Sequence, residues 1–127
     1  MYIRFTAFWL QKAGNIADEY EDAFAPTHPL EGSYDEFRCA VADGATETSF
    51  SGLWAQLLVD AFAAEHLTQL QPDALMPLSE RWHDAIAART AHKPLPWYAV
   101  EKLERGAFSS LLGLTVHTDG SWRAHCV

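Results

Sequence analysis

The chain has 127 residues, of which 49% are hydrophobic and 13% are aromatic, and its formal net charge is −8. This length fits one domain, and the apolar content excludes a disordered segment because it is enough to build a buried core. The nine basic residues are scattered along the chain. Binding to a nucleic-acid backbone depends on clustered Lys and Arg, so the sequence predicts a single folded domain that binds no nucleic acid.

The apolar stretches are too short and too polar for a membrane-spanning helix. The longest, residues 53–64, is interrupted by Gln56 and Asp60, so we expect a soluble chain with no membrane partner. The two cysteines, Cys39 and Cys126, lie in apolar strand-like runs, where a free buried thiol is the usual state. Free thiols fit a reducing compartment, so the expected location is the cytoplasm.

Three short strands are predicted in the first half of the chain from runs of β-branched, aromatic and apolar residues. They cover residues 2–10, 22–25 and 37–42. The first is followed by a turn signal at residues 12–15, and the second ends at Pro26. Residues 27–35 contain Pro and Gly and predict a hairpin-like loop between the second and third strands.

Three helices are predicted next, because apolar residues recur at intervals of three and four. They cover residues 50–62, 79–90 and 97–103. Thr48 or Ser49 is the predicted N-cap of the first helix. Pro72 and Pro77 are expected to separate the first helix from the second, and Pro96 to begin the third.

After Gly106 the pattern predicts a β-hairpin, with Asp-Gly at the centre of a two-residue turn at residues 118–121. On the register that this turn implies, His117 and His125 lie on opposite faces. The same register places Trp122, Ala124 and Cys126 on one face with Leu111, Gly113 and Thr115. Both faces are then apolar, which predicts a layer on each side. The last strand is still apolar at Val127, so we expect the domain to continue beyond it.

The strongest candidate for chemistry is Asp43-Gly44, between an apolar strand and a helix. A carboxylate and a backbone carbonyl can face one point there, as oxygen ligands for a hard cation do. A turn with a helix-entry carboxylate is the alternative interpretation. The second candidate is the acidic segment at residues 19–22, which includes Glu21 and Asp22. If its strand lies beside the Asp43 strand, the carboxylates converge on one site. A solvated acidic loop is the alternative.

The two motifs are Glu21-Asp22-Ala23-Phe24 and, 21 residues later, Val41-Ala42-Asp43-Gly44. In this order they resemble the opening motifs of the protein phosphatase 2C-like family of metal-dependent Ser/Thr phosphatases. The segment from Gly106 through the hairpin is similar to the strand pair that precedes the family's Gly-Asp motif. The resemblance implies that residues 1–127 are the N-terminal part of such a domain, cut before its later metal-ligand motifs.

The resemblance also implies a fold and a reaction. The fold is α+β, part of a four-layer α/β/β/α sandwich with mostly antiparallel sheets and two Mg²⁺ or Mn²⁺ ions between them. The reaction is hydrolysis of a phosphoprotein or a small phosphomonoester by metal-activated water. By position, Asp43 would bridge both ions, the Gly44 carbonyl would bind one, and Glu21 and Asp22 would hold metal-bound waters.

Two departures leave the catalytic residues unassigned. The family often has a His after Asp-Gly, where this chain has Ala45, and residues 15–18 do not contain the family's phosphate-binding Arg. A catalytically inactive, phosphatase-like binding module is therefore the alternative function. An unrelated α/β interaction domain is the third. Half of a sandwich would expose an apolar sheet face, so association with a second chain or domain is also expected.

The remaining polar candidates are predicted to be structural. Ser51 lacks the preceding Gly of a nucleophile elbow, and Ser109 and Ser110 lead into a strand. The six histidines show no paired-ligand spacing.

Overall fold

The structure is a computed structural model, and it describes residues 1–10, 20–45, 50–64, 67, 71–92 and 95–127. These residues form a mixed α+β fold, as predicted. The elements are β1 (Tyr2–Phe5), β2 (Asp22–Ala25), β3 (Leu30–Ser33), β4 (Glu36–Gly44), α1 (Ser51–Ala63), α2 (Pro72–Thr90), α3 (Trp97–Glu104), β5 (Ser109–His117) and β6 (Trp122–Cys126). Across these ranges, no helix is long and apolar enough to cross a membrane.

The strands form two antiparallel sheets. The larger has the order β2-β4-β5-β6, and the smaller pairs β1 with β3. Helix α1 covers one face of the larger sheet, where small side chains such as Ala40 and Ala42 are buried and let the helix approach closely. The approach of the helix to the sheet is very close at Gly113, because a Cβ there would lie 2.4 Å from the Phe62 ring. Helix α2 packs on α1 through Trp82.

The other face of the large sheet, which we call the open face, carries Asp22, Phe24, Val41, Asp43, Leu112, Leu114 and Trp122. Val41, Leu112 and Trp122 are at least half exposed to solvent. The β1–β3 sheet contacts this face at one end, where the rings of Phe5 and Phe37 lie 5.4 Å apart. The described residues therefore form a helical layer, one full sheet and a two-stranded sheet.

The first-half predictions were right for β2 and for β4, which is one residue longer at its start and two residues longer at its end, where it includes Asp43-Gly44. They were wrong for the stretch at 2–10, where β1 ends at Phe5, and for the loop at 27–35, which contains β3. Both errors have one cause. Strand β1 is as long as its partner, and β3 is stabilised by that pairing rather than by its own residues.

Helix α2 begins at Pro72 and contains Pro77, so the two prolines do not separate the helices as predicted. Pro72 occupies the first turn, where a backbone N–H has no partner within the helix, and Pro77 gives up one internal hydrogen bond. The predicted N-cap of α1 at residues 48–49 lies outside the described residues. The residue before the helix is Phe50, whose φ of 60° is left-handed. Helix α3 begins one residue after Pro96, close to the prediction.

The β5–β6 hairpin is present, but its predicted register is off by one residue. The His117 amide donates to the Ser121 carbonyl at 2.9 Å, and Gly120 has a φ of 82°, so three residues, not two, connect the strands. A one-residue shift moves side chains to the other face. Val116 therefore pairs with Trp122, and His117 and His125 share a face.

The same shift decides the environment of Cys126. Both thiols are free, as expected, but only Cys39 is partly buried. Burial raises the pKa of the Cys39 thiol. Cys126 is exposed because the actual register places it on the open face at the edge strand, next to Leu112.

Candidate metal site

The strands that carry the two acidic motifs are neighbours in the large sheet. In the antiparallel pairing of β2 with β4, Asp22 stands directly opposite Asp43. Directly opposite residues have Cβ atoms about 4.5–5.5 Å apart and point to the same face. The sequence alone indicated that these motifs converge if the strands are adjacent, and the register places Asp22 and Asp43 together on the open face.

The electrostatics of this pair are unfavourable in the absence of a cation. The pKa of the Asp22 carboxyl is raised, first by its partial burial and then by the charge and the hydrogen bonding of Asp43. The ion pairs in the described part of the chain involve other residues. Like charges placed directly opposite in a sheet destabilise it. A pair that costs stability in this way is a candidate functional site.

Tyr20 is a neighbour of the pair that the sequence analysis missed. Tyr20 lowers the pKa of the Asp22 carboxyl, and this partly offsets the effect of Asp43. Burial, and then the charge of Asp22, raise the pKa of the Tyr20 phenol. Its ring lies 5.4 Å from that of Trp9. The spacing of Tyr20 and Asp22, two residues apart leading into a strand, is the signal that could have placed them on one face.

Glu21 is held by contacts with β4 and α1, and its role at a metal site stays a prediction. Its carboxylate accepts a hydrogen bond from the hydroxyl of Ser51, the first residue of α1, at 2.9 Å. Its carbonyl accepts one from the Gly44 amide at 3.2 Å. Side chains alternate between the faces of a strand. Glu21 therefore faces the start of α1, whereas Asp22 faces Asp43.

Gly44 is needed because two segments of backbone approach it. A Cβ at this position would lie 2.8 Å from the Glu21 carbonyl oxygen and 2.9 Å from the Ser51 carbonyl carbon. The adjacent Asp43 carbonyl is held by the Ser109 hydroxyl, which donates to it at 2.9 Å. Asp43-Gly44 is therefore part of β4 and is fixed from both sides. The role of the Gly44 carbonyl as a metal ligand stays a prediction.

A groove of about 760 Å³ runs along the open face beside the acidic pair. Residues 5–10 form one wall, and the sheet forms the other. Its lining is mainly apolar, with Tyr20, Asp22 and Asp43 among the few polar residues. The carboxylates thus lie in a partly apolar groove, where water screens their mutual repulsion less than on an open surface.

The carboxylates of Asp22 and Asp43 are of the type that binds a hard divalent cation, but two of them are fewer than a complete site needs. Carboxylate oxygens are the preferred ligands of Mg²⁺, which keeps several waters and often takes only one or two protein carboxylates together with substrate phosphate. Within the ranges given above, no group of three or more His, Cys, Asp or Glu residues is arranged to hold a metal ion. Asp22 and Asp43 therefore provide two ligands of an incomplete set.

Comparison with known proteins adds no relative, because no family model, curated protein or solved structure matches this chain.

Proposed function

We propose that this chain provides part of the metal site of a protein Ser/Thr phosphatase, a metal-dependent hydrolase of phosphomonoesters. The observation that carries the proposal is the register that sets Asp22 opposite Asp43 on the open face. The order and spacing of the two acidic motifs agree with it. The repulsion between the two carboxylates favours binding of Mg²⁺ or Mn²⁺, because a cation removes the cost of holding them together.

The residues have separate tasks in this proposal. Asp22 and Asp43 would hold Mg²⁺ or Mn²⁺, with two ions expected in a complete site, and Tyr20 lies beside Asp22. Bound cations would supply Lewis-acid activation of water and offset the charge of the phosphoryl group. Such a site would act on a phosphoprotein or a small phosphomonoester despite the acidity of the chain.

The four-layer sandwich is part of the same proposal. Its inner surface would be the open face, which already carries apolar residues such as Val41, Leu112 and Trp122. Exposed apolar patches of this kind mark surfaces that are covered in the working assembly. We propose that a sheet from a second chain or domain packs there and brings further carboxylates to the acidic pair. Within this proposal the cytoplasm is the expected location.

Hydrolysis of an aryl phosphate in the presence of Mn²⁺ tests the proposed reaction. We expect a Mn²⁺-dependent rate that Asp43→Asn abolishes. Asp84→Asn is a matched control, because it makes the same change in charge at an exposed position on α2. A rate that persists in Asp43→Asn refutes the role of this carboxylate.

A catalytically inactive, phosphatase-like binding module is the second candidate. It is favoured by Ala45, which stands where the family often has a His, and by the two-carboxylate donor set. Binding of Mn²⁺ that Asp43→Asn removes, together with no hydrolysis by wild-type protein, is the result expected for this alternative. Hydrolysis by the wild type rules it out.

A further inference from the structure

The groove beside Asp22 and Asp43 has the size and the lining of a site for a small organic molecule. Its volume of about 760 Å³ lies within the range of roughly 300–1,000 Å³ that is usual for ligand pockets. Most of its lining is apolar. Pockets of this kind commonly contain only a few polar groups, which fix the orientation of the ligand. Two of the polar residues in this groove are Asp22 and Asp43.

Both walls of the groove leave large apolar side chains in contact with water. In the wall formed by residues 5–10, Phe8 is 92% exposed and Leu10 is 90% exposed. On the sheet, Val41 is 54% exposed and Leu112 is 50% exposed. Exposed apolar surface of this kind is typical of a ligand-binding groove. A hydrocarbon body in the groove would remove these side chains from water, which is favourable in proportion to the area that is buried.

The charge in the groove is negative. Asp22 and Asp43 stand opposite each other, and within the described ranges of the chain the lining includes no Lys, Arg or His. A ligand that covers these carboxylates must bring positive charge, because a carboxylate removed from water without a partner is costly. The rings of Trp9 and Tyr20, 5.4 Å apart, also line the groove, and aromatic rings attract cations. The lining therefore favours a cation with an apolar body.

We propose that the groove binds a small apolar primary amine, with its ammonium group between Asp22 and Asp43 and its hydrocarbon body against the apolar walls. An ammonium group has three N–H donors, which is enough to bond both carboxylates. Two carboxylates and an apolar surface satisfy such an amine, so it needs no ligand from outside this chain. The inference goes beyond the proposed function and requires neither a metal ion nor a second sheet.

Isothermal titration with n-octylamine in the presence of EDTA tests this inference. EDTA removes divalent cations, which would compete for the same carboxylates, and at neutral pH an alkylamine is protonated as a lysine side chain is. We expect saturable binding to the wild-type protein. The alcohol n-octanol lacks the charge and should bind at least about 10-fold more weakly. The shorter amine n-butylamine should also bind at least about 10-fold more weakly, because it buries fewer methylene groups.

Asparagine variants test the role of the carboxylates. Asp43→Asn keeps the shape of the side chain and removes one charge, so it should weaken binding of n-octylamine about 10-fold or more. Asp22→Asn makes the same change on β2 and should have the same effect, and it provides the test if Asp43→Asn does not fold. Asp84→Asn is the matched control, because it removes one charge at an exposed position on α2. It should leave the affinity unchanged.

The outcomes separate this inference from the proposed function. The inference is overturned if the wild type shows no saturable binding of n-octylamine, if n-octanol or n-butylamine binds equally well, or if a folded variant at Asp22 or Asp43 keeps the wild-type affinity. A protein that binds n-octylamine but no Mn²⁺ would support the amine site and refute the metal site. A protein that binds Mn²⁺ but no n-octylamine would do the reverse.

Discussion

Replacement of Gly44 by alanine is the most direct perturbation of the site's framework. The added Cβ would meet three backbone atoms, the Glu21 oxygen at 2.8 Å and the Ser51 carbonyl carbon and oxygen at 2.9 and 3.0 Å. Backbone atoms cannot turn aside as a flexible side chain can. Either β2 or the start of α1 must therefore move away from β4.

The expected cost follows from two contributions. Overpacking of a well-packed region costs about 1–3 kcal/mol, and weakening the hydrogen bond from Gly44 to Glu21 costs about 1 kcal/mol. Reduced freedom of the unfolded chain returns about 0.5–1 kcal/mol. The net loss is about 1–3.5 kcal/mol, a large part of the roughly 5–15 kcal/mol typical of a domain. At about 4 °C per kcal/mol for a chain of this size, the melting temperature should fall by about 4–14 °C.

Urea unfolding followed by tryptophan fluorescence measures this loss. Gly32→Ala is the matched control, because the nearest atoms to a Cβ there belong to the Tyr34 side chain and begin at 3.5 Å, an ordinary contact distance. It should change the free energy of unfolding by less than about 0.5 kcal/mol. If Gly44→Ala is as stable as Gly32→Ala, the close approach of the two backbones to Gly44 is not real, and the reasoning fails.

Three further predictions concern the pair and the two faces of the sheet. The raised pKa of Asp22 means that, above the ordinary pKa of an aspartate, this carboxyl binds more protons in the folded metal-free chain than in the unfolded chain. The contribution of Asp22 to stability should therefore rise as the pH falls from neutral through that raised pKa, opposite in sign to the contributions of Glu31 and Asp119, whose pKa values are lowered. Asp43→Asn should flatten this dependence and raise the melting temperature of the metal-free protein at pH 7. Gly113→Ala should destabilise the protein by about 2 kcal/mol through its clash with Phe62, while leaving the Mn²⁺ affinity of the folded protein unchanged. Leu112→Glu should reduce binding of the dye 8-anilinonaphthalene-1-sulfonate, because this residue is half exposed on the open face.

Each of these has a clear contrary result. A melting temperature that is lower in metal-free Asp43→Asn than in the wild type would mean that the carboxylates do not repel each other. Loss of Mn²⁺ affinity in folded Gly113→Ala would mean that the helix-covered face influences the site. Dye binding that is unchanged in Leu112→Glu would mean that the open face is already covered.

Local patterns were sufficient for the elements whose own residues decide them. Strand β2 has the predicted bounds, and α1 follows the apolar spacing that begins at Phe50. Local patterns were insufficient where the structure of a segment depends on its contacts with another part of the chain. Strand β3 depends on pairing with β1, and the hairpin register depends on the left-handed conformation of Gly120, which adds one residue to the turn.

In the candidate site, too, one contact could be predicted from the sequence and another could not. The convergence of Asp22 with Asp43 was foreseeable, because it follows from two strand motifs if the strands are adjacent. The contact of Glu21 with Ser51 was not, because it joins residues 30 positions apart on elements of different type. Ser51 was predicted to be structural only from the absence of a catalytic motif, and a sequence pattern does not reveal which carboxylate a buried hydroxyl meets.

Isothermal titration of the metal-free protein with MnCl₂ at neutral pH measures whether Asp22 and Asp43 bind a cation. We expect a saturable heat of binding in the wild-type protein and in Asp84→Asn, and none in Asp43→Asn. The same heat in Asp43→Asn as in the wild type would contradict the claim that Asp22 and Asp43 form a metal site.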